Sequence, residues 1–313
     1  MPRRLRLEGL QAELASLGAL LRNAQEMGDP VGEYQLSKRR KAIEESIRTL
    51  LAEKEKRASV ALFFGGKPVL GSRGISAEFA GHMLEYFQDL VTRTFASVEL
   101  GVLGERGPVP MKEATNLMVT HLTKGSFGFV LDELSDQNEI EDTVLKKMVE
   151  QVVTTVEKVA SANELDFEEV SEELDARLLI SLKDFFSELD NAQATVRLVD
   201  DDADISLDQS AIRRGRLRTE ATSIDEADLT VEGLLEGFLP EHKKFELRVG
   251  PLEVVYGSVS REAAEQYTQM VSTGDNPVRQ TWRVRIRRRT VTPLNRPARQ
   301  VNRLMEFLGK GNA

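Results

Sequence analysis

Arg283, Arg285, Arg287 and Arg289 recur at every second position after Trp282, alternating with Val284, Ile286 and Arg288. In a strand, side chains two apart share a face, so this spacing lines up four guanidinium groups about 6.5–7 Å apart and turns Trp282, Val284 and Ile286 to the other side. Such a row fits the phosphates of an extended nucleic-acid strand, and its binding would weaken with salt as counterions are released. The same alternation also suits an edge strand kept soluble by charge, or one docked on an acidic surface. Arg213, Arg214, Arg216 and Arg218 form a second basic group, which would either extend a phosphate track or form a solvated helix face. Rings able to stack bases are scarce. Trp282 falls on the apolar face, Phe245 reads as core, and Tyr256 alone is expected to face outward.

Other chemistry is weakly indicated. The turn Asp200-Asp201-Asp202-Ala203-Asp204 gathers oxygen ligands but lacks the spacing, glycine and terminal glutamate of a calcium loop, so no metal site is expected. Gly65-Gly66-Lys67 and Gly71-Ser72-Arg73-Gly74 do not follow the phosphate-loop pattern and read as turns. Gly104 to Pro110 reads as a rigid loop that includes Arg106. His82, His121 and His242 are scattered. His121 shares a strand face with Leu117 and Val119 and is expected to be buried. No Gly-x-Ser-x-Gly elbow occurs, and without cysteine there is neither a thiol nucleophile nor a disulfide. No catalytic residue and no cofactor is assigned, and a hydrolase would need carboxylates brought together only by the fold.

Charge is segregated along the 313 residues. Residues 1–57 carry 12 basic and 9 acidic side chains, residues 279–313 carry 10 and 1, and the middle carries −21, which brings the formal net charge to −9. A chain divided in this way folds its basic end onto its own acidic body or offers the two surfaces to different partners. No apolar run is long enough to span a bilayer, and heptad-spaced leucines follow Arg4 where a signal peptide would have a continuous apolar run. No membrane partner and a cytoplasmic location are therefore expected.

Elements follow from periodicity. Leu7, Leu10, Leu14, Leu17, Leu21 and Ala24 step by three and four, and Leu36, Ile43, Ile47 and Leu50 form a second seam, interrupted by Arg40. Gly28-Asp29-Pro30 between them stops one helix and starts the next. The result is an antiparallel helical hairpin over 1–57. Because it buries only one stripe, it is expected to dock on the body or on a second copy of itself, with self-association through Leu10, Leu14, Leu17, Leu21, Ile43 and Ile47 favoured. Residues 58–217 read as an acidic α+β domain with long helices and two β-hairpins: Val60–Phe64 with Pro68–Leu70, and Leu117–Leu122 with Phe127–Leu131 around Lys124-Gly125. A helix is expected around Leu174 to Leu189, a strand pair brackets the acidic turn, and residues 218–228 read as a linker.

From Leu229 the order is three strands, a helix over Arg261–Val271 and two strands. In that order residues 229–313 resemble a small OB-type barrel, a fold often used to hold nucleic acid. The overall expectation is an α+β chain of hairpin, body and OB-like barrel, acting as a self-associating adaptor that contacts DNA or RNA through Arg283, Arg285, Arg287 and Arg289, extended by Arg213, Arg214 and Arg216. The alternative is an assembly scaffold or accessory subunit whose basic barrel face engages an acidic protein surface.

Overall fold

The computed structural model describes the chain outside residues 53, 100–114, 124–126, 135–140, 241, 252, 293–296 and 312–313. Helices α1 (Arg3–Met27) and α2 (Pro30–Ala52) are joined at Gly28, which takes φ 66° and closes α1. The Asp29 carboxylate accepts the Gly32 amide at 3.0 Å and starts α2. The antiparallel sense is set by pairs across the seam, Arg39 with Glu13 and Arg6 with Glu55.

Two compact units make up the chain. The first contains α1, α2, a five-stranded sheet and most of its helices, and the second takes Asn163–Ile180 and Leu217–Ala313. In the first unit, β1 (Ser59–Gly66), β2 (Met118–Thr123), β3 (Phe127–Asp132), β4 (Ala194–Val199) and β5 (Asp204–Leu207) form an antiparallel sheet in the order β2-β3-β1-β4-β5. β1 is central because both of its faces are apolar. Leu62 pairs with Phe129 on one side and Leu198 on the other. Phe64 meets Phe79 of α3 (Ala77–Glu99) edge-on at 5.4 Å, while Leu5 of α1 packs over Ala61 and Phe63 on the opposite face. Burying each such side chain contributes about 1.5–3 kcal/mol. The remaining helices are α4 (Val144–Ala160), α5 (Glu164–Glu173), α6 (Ala176–Asn191) and α7 (Gln209–Ala221).

Several expectations are corrected here. Val60–Phe64 forms no hairpin with Pro68–Leu70. Its partners are β3 and β4, brought to it from distant sequence, and Val69 makes only an isolated bridge to Ile75. The Lys124-Gly125 turn and the Gly104–Pro110 loop lie outside the described residues. The helix expected over Leu174 to Leu189 is α6, which starts after Leu174 where the Asp175 carboxylate accepts the Leu178 amide at 2.7 Å; α5 precedes it. His121 is exposed together with Met118, Val119 and Leu122, because β2 is the edge strand of the sheet. Residues 218–228 are no linker: α7 runs to Ala221 and the next strand starts at Ser223.

In the second unit, β6 (Ser223–Leu239), β7 (Lys244–Arg248), β8 (Val254–Val259), β9 (Thr281–Thr292) and β10 (Arg299–Lys310) close in the order β10-β8-β7-β6-β9, with α8 (Arg261–Ser272) between β8 and β9. Leu235, Phe245, Leu247, Val255, Trp282, Val284, Ile286 and Leu304 fill the interior. The Ser260 hydroxyl accepts the Ala263 amide at 3.0 Å and donates to the Met305 carbonyl at 2.6 Å, tying α8 to β10.

The expected compact OB-like barrel is also corrected. β7 pairs with β6 only from Leu234 to Leu239, and β8 meets β10 through only three parallel pairs, Gly257–Val259 with Asn302–Leu304. β6 and β9 stay paired as far as Ser223 and Thr292, so a long three-stranded ribbon with β10 runs past the ring. With this pairing the OB resemblance, and the nucleic-acid role it implied, does not hold.

Candidate functional site on the charged face of the barrel

Alternation along β9 does place Arg283, Arg285, Arg287 and Arg289 on the face opposite Trp282, Val284 and Ile286, which are buried. What the neighbouring strands bring to that face decides its use. In register, Arg283 lies opposite Glu232, Arg287 opposite Asp228 and Arg289 opposite Glu226, all on β6. Arg285 pairs with Glu306 of β10. Arg287 donates to both Asp228 oxygens, at 2.6 and 2.9 Å. Arg289 is 7% exposed and donates to the main-chain carbonyls of Glu173 at 3.2 Å and Leu174 at 2.6 Å.

The row is thus a cross-strand zipper of unlike charges, a common way of stabilising a sheet pair. It overturns the expected nucleic-acid contact: Arg285, Arg287 and Arg289 are committed to acids and carbonyls of their own unit, and Arg289 is inaccessible. The same neutralisation removes the basic barrel face that an adaptor or scaffold would have presented to an acidic protein. Among the described residues no three His, Cys, Asp or Glu are placed to hold a metal ion, and the chain has no cysteine.

The second basic group is dispersed. The Arg214 Nε donates to the Ala160 carbonyl at 2.9 Å, and Arg216 donates to Asp190 at 3.0 Å and to Asn191 at 2.8 Å. Arg218 holds Glu164 at 2.6 Å and lies 5.0 Å over the Phe167 ring. Arg213 alone points clear of these contacts and is exposed. These side chains fasten helix ends and form no track.

The acidic turn also has a structural explanation. The Asp200 carboxylate accepts the amides of Asp202 and Ala203, Asp204 pairs with Arg197, and Asp201 accepts the Arg3 amide at 2.7 Å while facing the buried Lys146 ammonium at 3.5 Å. A shallow cleft of about 330 Å³ lies between Lys67, Ser76, Phe79, Glu188 and Asn191. The oligomerisation residues form the α1–α2 seam. Leu17 and Ile43 are buried there, whereas Leu10, Leu14, Leu21 and Ile47 are only half-buried.

One residue of the charged face was not read from sequence. Arg303 of β10 lies directly opposite Arg287 and beside Ser258 of β8. Two irregularities in β10, at Leu304/Glu306 and Phe307/Gly309, scramble the alternation that would have revealed it. Burial, with Arg289 and Arg287 close by, holds its guanidinium below the usual arginine range. Glu226 is pushed above the carboxylate range by burial, and Asp228 is held below it by its bonds from Arg287.

The Asp228 shift makes stability depend on acidity. A carboxyl whose folded pKa lies below its usual 3.8 contributes stability above that value, and the contribution disappears as pH falls through the folded pKa. Melting temperature is therefore expected to drop less steeply below about pH 4 in Asp228→Asn than in the parent chain. Parallel acid limbs in the two proteins would exclude a contribution from this pair.

No family model matches the chain, and no curated protein or solved structure matches it.

Proposed function

We propose that the chain works as a homo-oligomer in which the hairpins of two copies pack into a four-helix bundle. The observation that carries this reading is the half-exposure of Leu10, Leu14, Leu21 and Ile47 within a seam whose central pair, Leu17 and Ile43, is already buried. An isolated pair of helices leaves the outer half of each seam residue wet, and a second pair covers it. Leu20 on α1 and Leu51 on α2 extend this apolar surface, at 50% and 59% exposure.

Charge supports a second copy as the occupant. Arg40 and Lys41 precede Ala42-Ile43, and Glu44 and Glu45 follow it. Two α2 helices crossing antiparallel at that point set each basic pair against the other copy's acidic pair, as a two-fold interface requires. No helix of the described residues is long and apolar enough to cross a membrane, so a bilayer-spanning role for α1 and α2 does not compete.

Light scattering on the full chain is expected to give twice the chain mass. Leu14→Lys should return it to a monomer with unchanged helical circular dichroism, since that side chain is half-exposed within one copy. A parent protein that stays monomeric up to high micromolar concentration would refute the proposal.

A further inference from the structure

Among the described residues, Arg303 is a cation of the charged face with no anion paired to it. Its Nε is buried and has no hydrogen-bond partner, although a guanidinium carries five N–H donors and no acceptor. The charges that act on it most are Arg289 and Arg287, both of its own sign. Like charges directly opposite one another on paired strands destabilise the pair, and an unmet buried donor adds to that cost.

Following the register around the ring shows what lies beside it. Asp228 on β6 is opposite Arg287 on β9, Arg287 is opposite Arg303 on β10, Arg303 is beside Ser258 on β8, and Ser258 is opposite Lys244 on β7. Residues in register on adjacent strands share a face about 4.8 Å apart. Asp228, the acid of this belt, is held by both nitrogens of the Arg287 fork at the far end. Among the described residues in this register, that leaves a guanidinium, a hydroxyl and an ammonium in sequence on the outer wall, with Glu246 next along the Lys244 face of β7, opposite Tyr256. Lys244 is exposed, and Tyr256, two residues before Ser258 on the same face, is 73% exposed, so this stretch of wall is open.

We infer that Arg303, Ser258 and Lys244 bind a small phosphate-type oxyanion on the outer wall of the barrel. Arg303 supplies the charged fork, Ser258 a hydroxyl donor and Lys244 a second positive charge, the combination that holds a tetrahedral oxyanion. The bound anion would meet the Arg303 guanidinium from the open side of the wall and offset the like charges of Arg303 and Arg287. A free phosphate ion and the phosphate of a monoester share this chemistry.

The test is thermal unfolding of the full chain in inorganic phosphate, in glycerol phosphate and in chloride at matched ionic strength. At about ten times the dissociation constant, inorganic phosphate is expected to raise the melting temperature by about 2 °C or more over chloride. An equal rise in glycerol phosphate would extend the site to monoesters, and no rise there would restrict it to the free ion. Arg303→Met should abolish the difference from chloride, and Arg303→Lys should keep part of it. A parent protein that melts identically in phosphate and chloride would overturn the inference, as would an undiminished rise in Arg303→Met. Should Arg303→Met fail to fold, the Ser258→Ala, Lys244→Gln double variant is read by the same criterion.

Discussion

Gly257→Ala is expected to destabilise the C-terminal barrel by about 3 kcal/mol, the upper end of what inserting a carbon into a packed site usually costs. A Cβ at Gly257 would lie 1.9 Å from the Asn302 carbonyl oxygen and 2.8 Å from its carbon. Both atoms are backbone, so no side chain can swing aside. The collision falls on one of the three parallel pairs by which β8 meets β10. Pushing those strands apart strains the neighbouring pairs as well and removes the acceptor geometry behind the Asn302 to Tyr256 contact. Gly237→Ala serves as the control. Its nearest neighbour would be the Glu246 Cβ at 3.8 Å, an ordinary contact, so little change is expected. Urea unfolding of the two variants reports the difference directly. Coincident midpoints would mean that the seam contributes nothing to stability.

Arg289→Ala is the second large effect, about 3–5 kcal/mol, because it removes one partner of a buried charged network. Three acceptors depend on this side chain. The Glu173 and Leu174 carbonyls receive its N–H groups, and Glu226, whose Oε1 is buried without a hydrogen-bond partner, relies on its charge. Without it the carboxylate is held in a poorly solvated site by Arg287 alone, and its pKa should rise further. A carboxyl with a raised folded pKa costs stability as pH climbs through that value, so the deficit of Arg289→Ala should widen from acid toward neutral pH. Arg283→Ala, at the exposed end of the same row, should change stability by no more than about 0.5 kcal/mol. Similar losses in both variants would show that burial does not grade the ladder.

Local patterns were legible in the sequence to the extent that local chemistry sets them. The Gly28-Asp29-Pro30 junction and the three-four spacing of the leucines define α1 and α2 without help from elsewhere, and the alternation at Trp282–Arg289 separates the inner and outer faces of β9. Partners were not legible. Arg287 finds Asp228 59 residues away, in a segment whose polar composition reads as a linker. Val60–Phe64 is apolar on both faces, which is compatible with an edge hairpin or a central strand, and only the arrival of β3 and β4 decides the matter. Arg303 was hidden for a different reason. Irregularities in β10 break its period of two, so its face can be read only from the strands beside it.

The charge ladder has one further property. Charge specifies the alignment of this ladder weakly: sliding β6 by two residues would set Glu226 against Arg287 and Asp228 against Arg285, still unlike charges on the same face, and would forfeit only the Glu232–Arg283 pair. Trp282 opposite Gly233 supplies the index mark. A Cβ at Gly233 would come within 2.6 Å of the Arg248 carbonyl oxygen, so glycine alone fits there. The indole beside it is pinned by its Nε1 bond to the Pro277 carbonyl at 2.9 Å. One aromatic ring and one missing side chain thus set the alignment that several arginines specify only weakly.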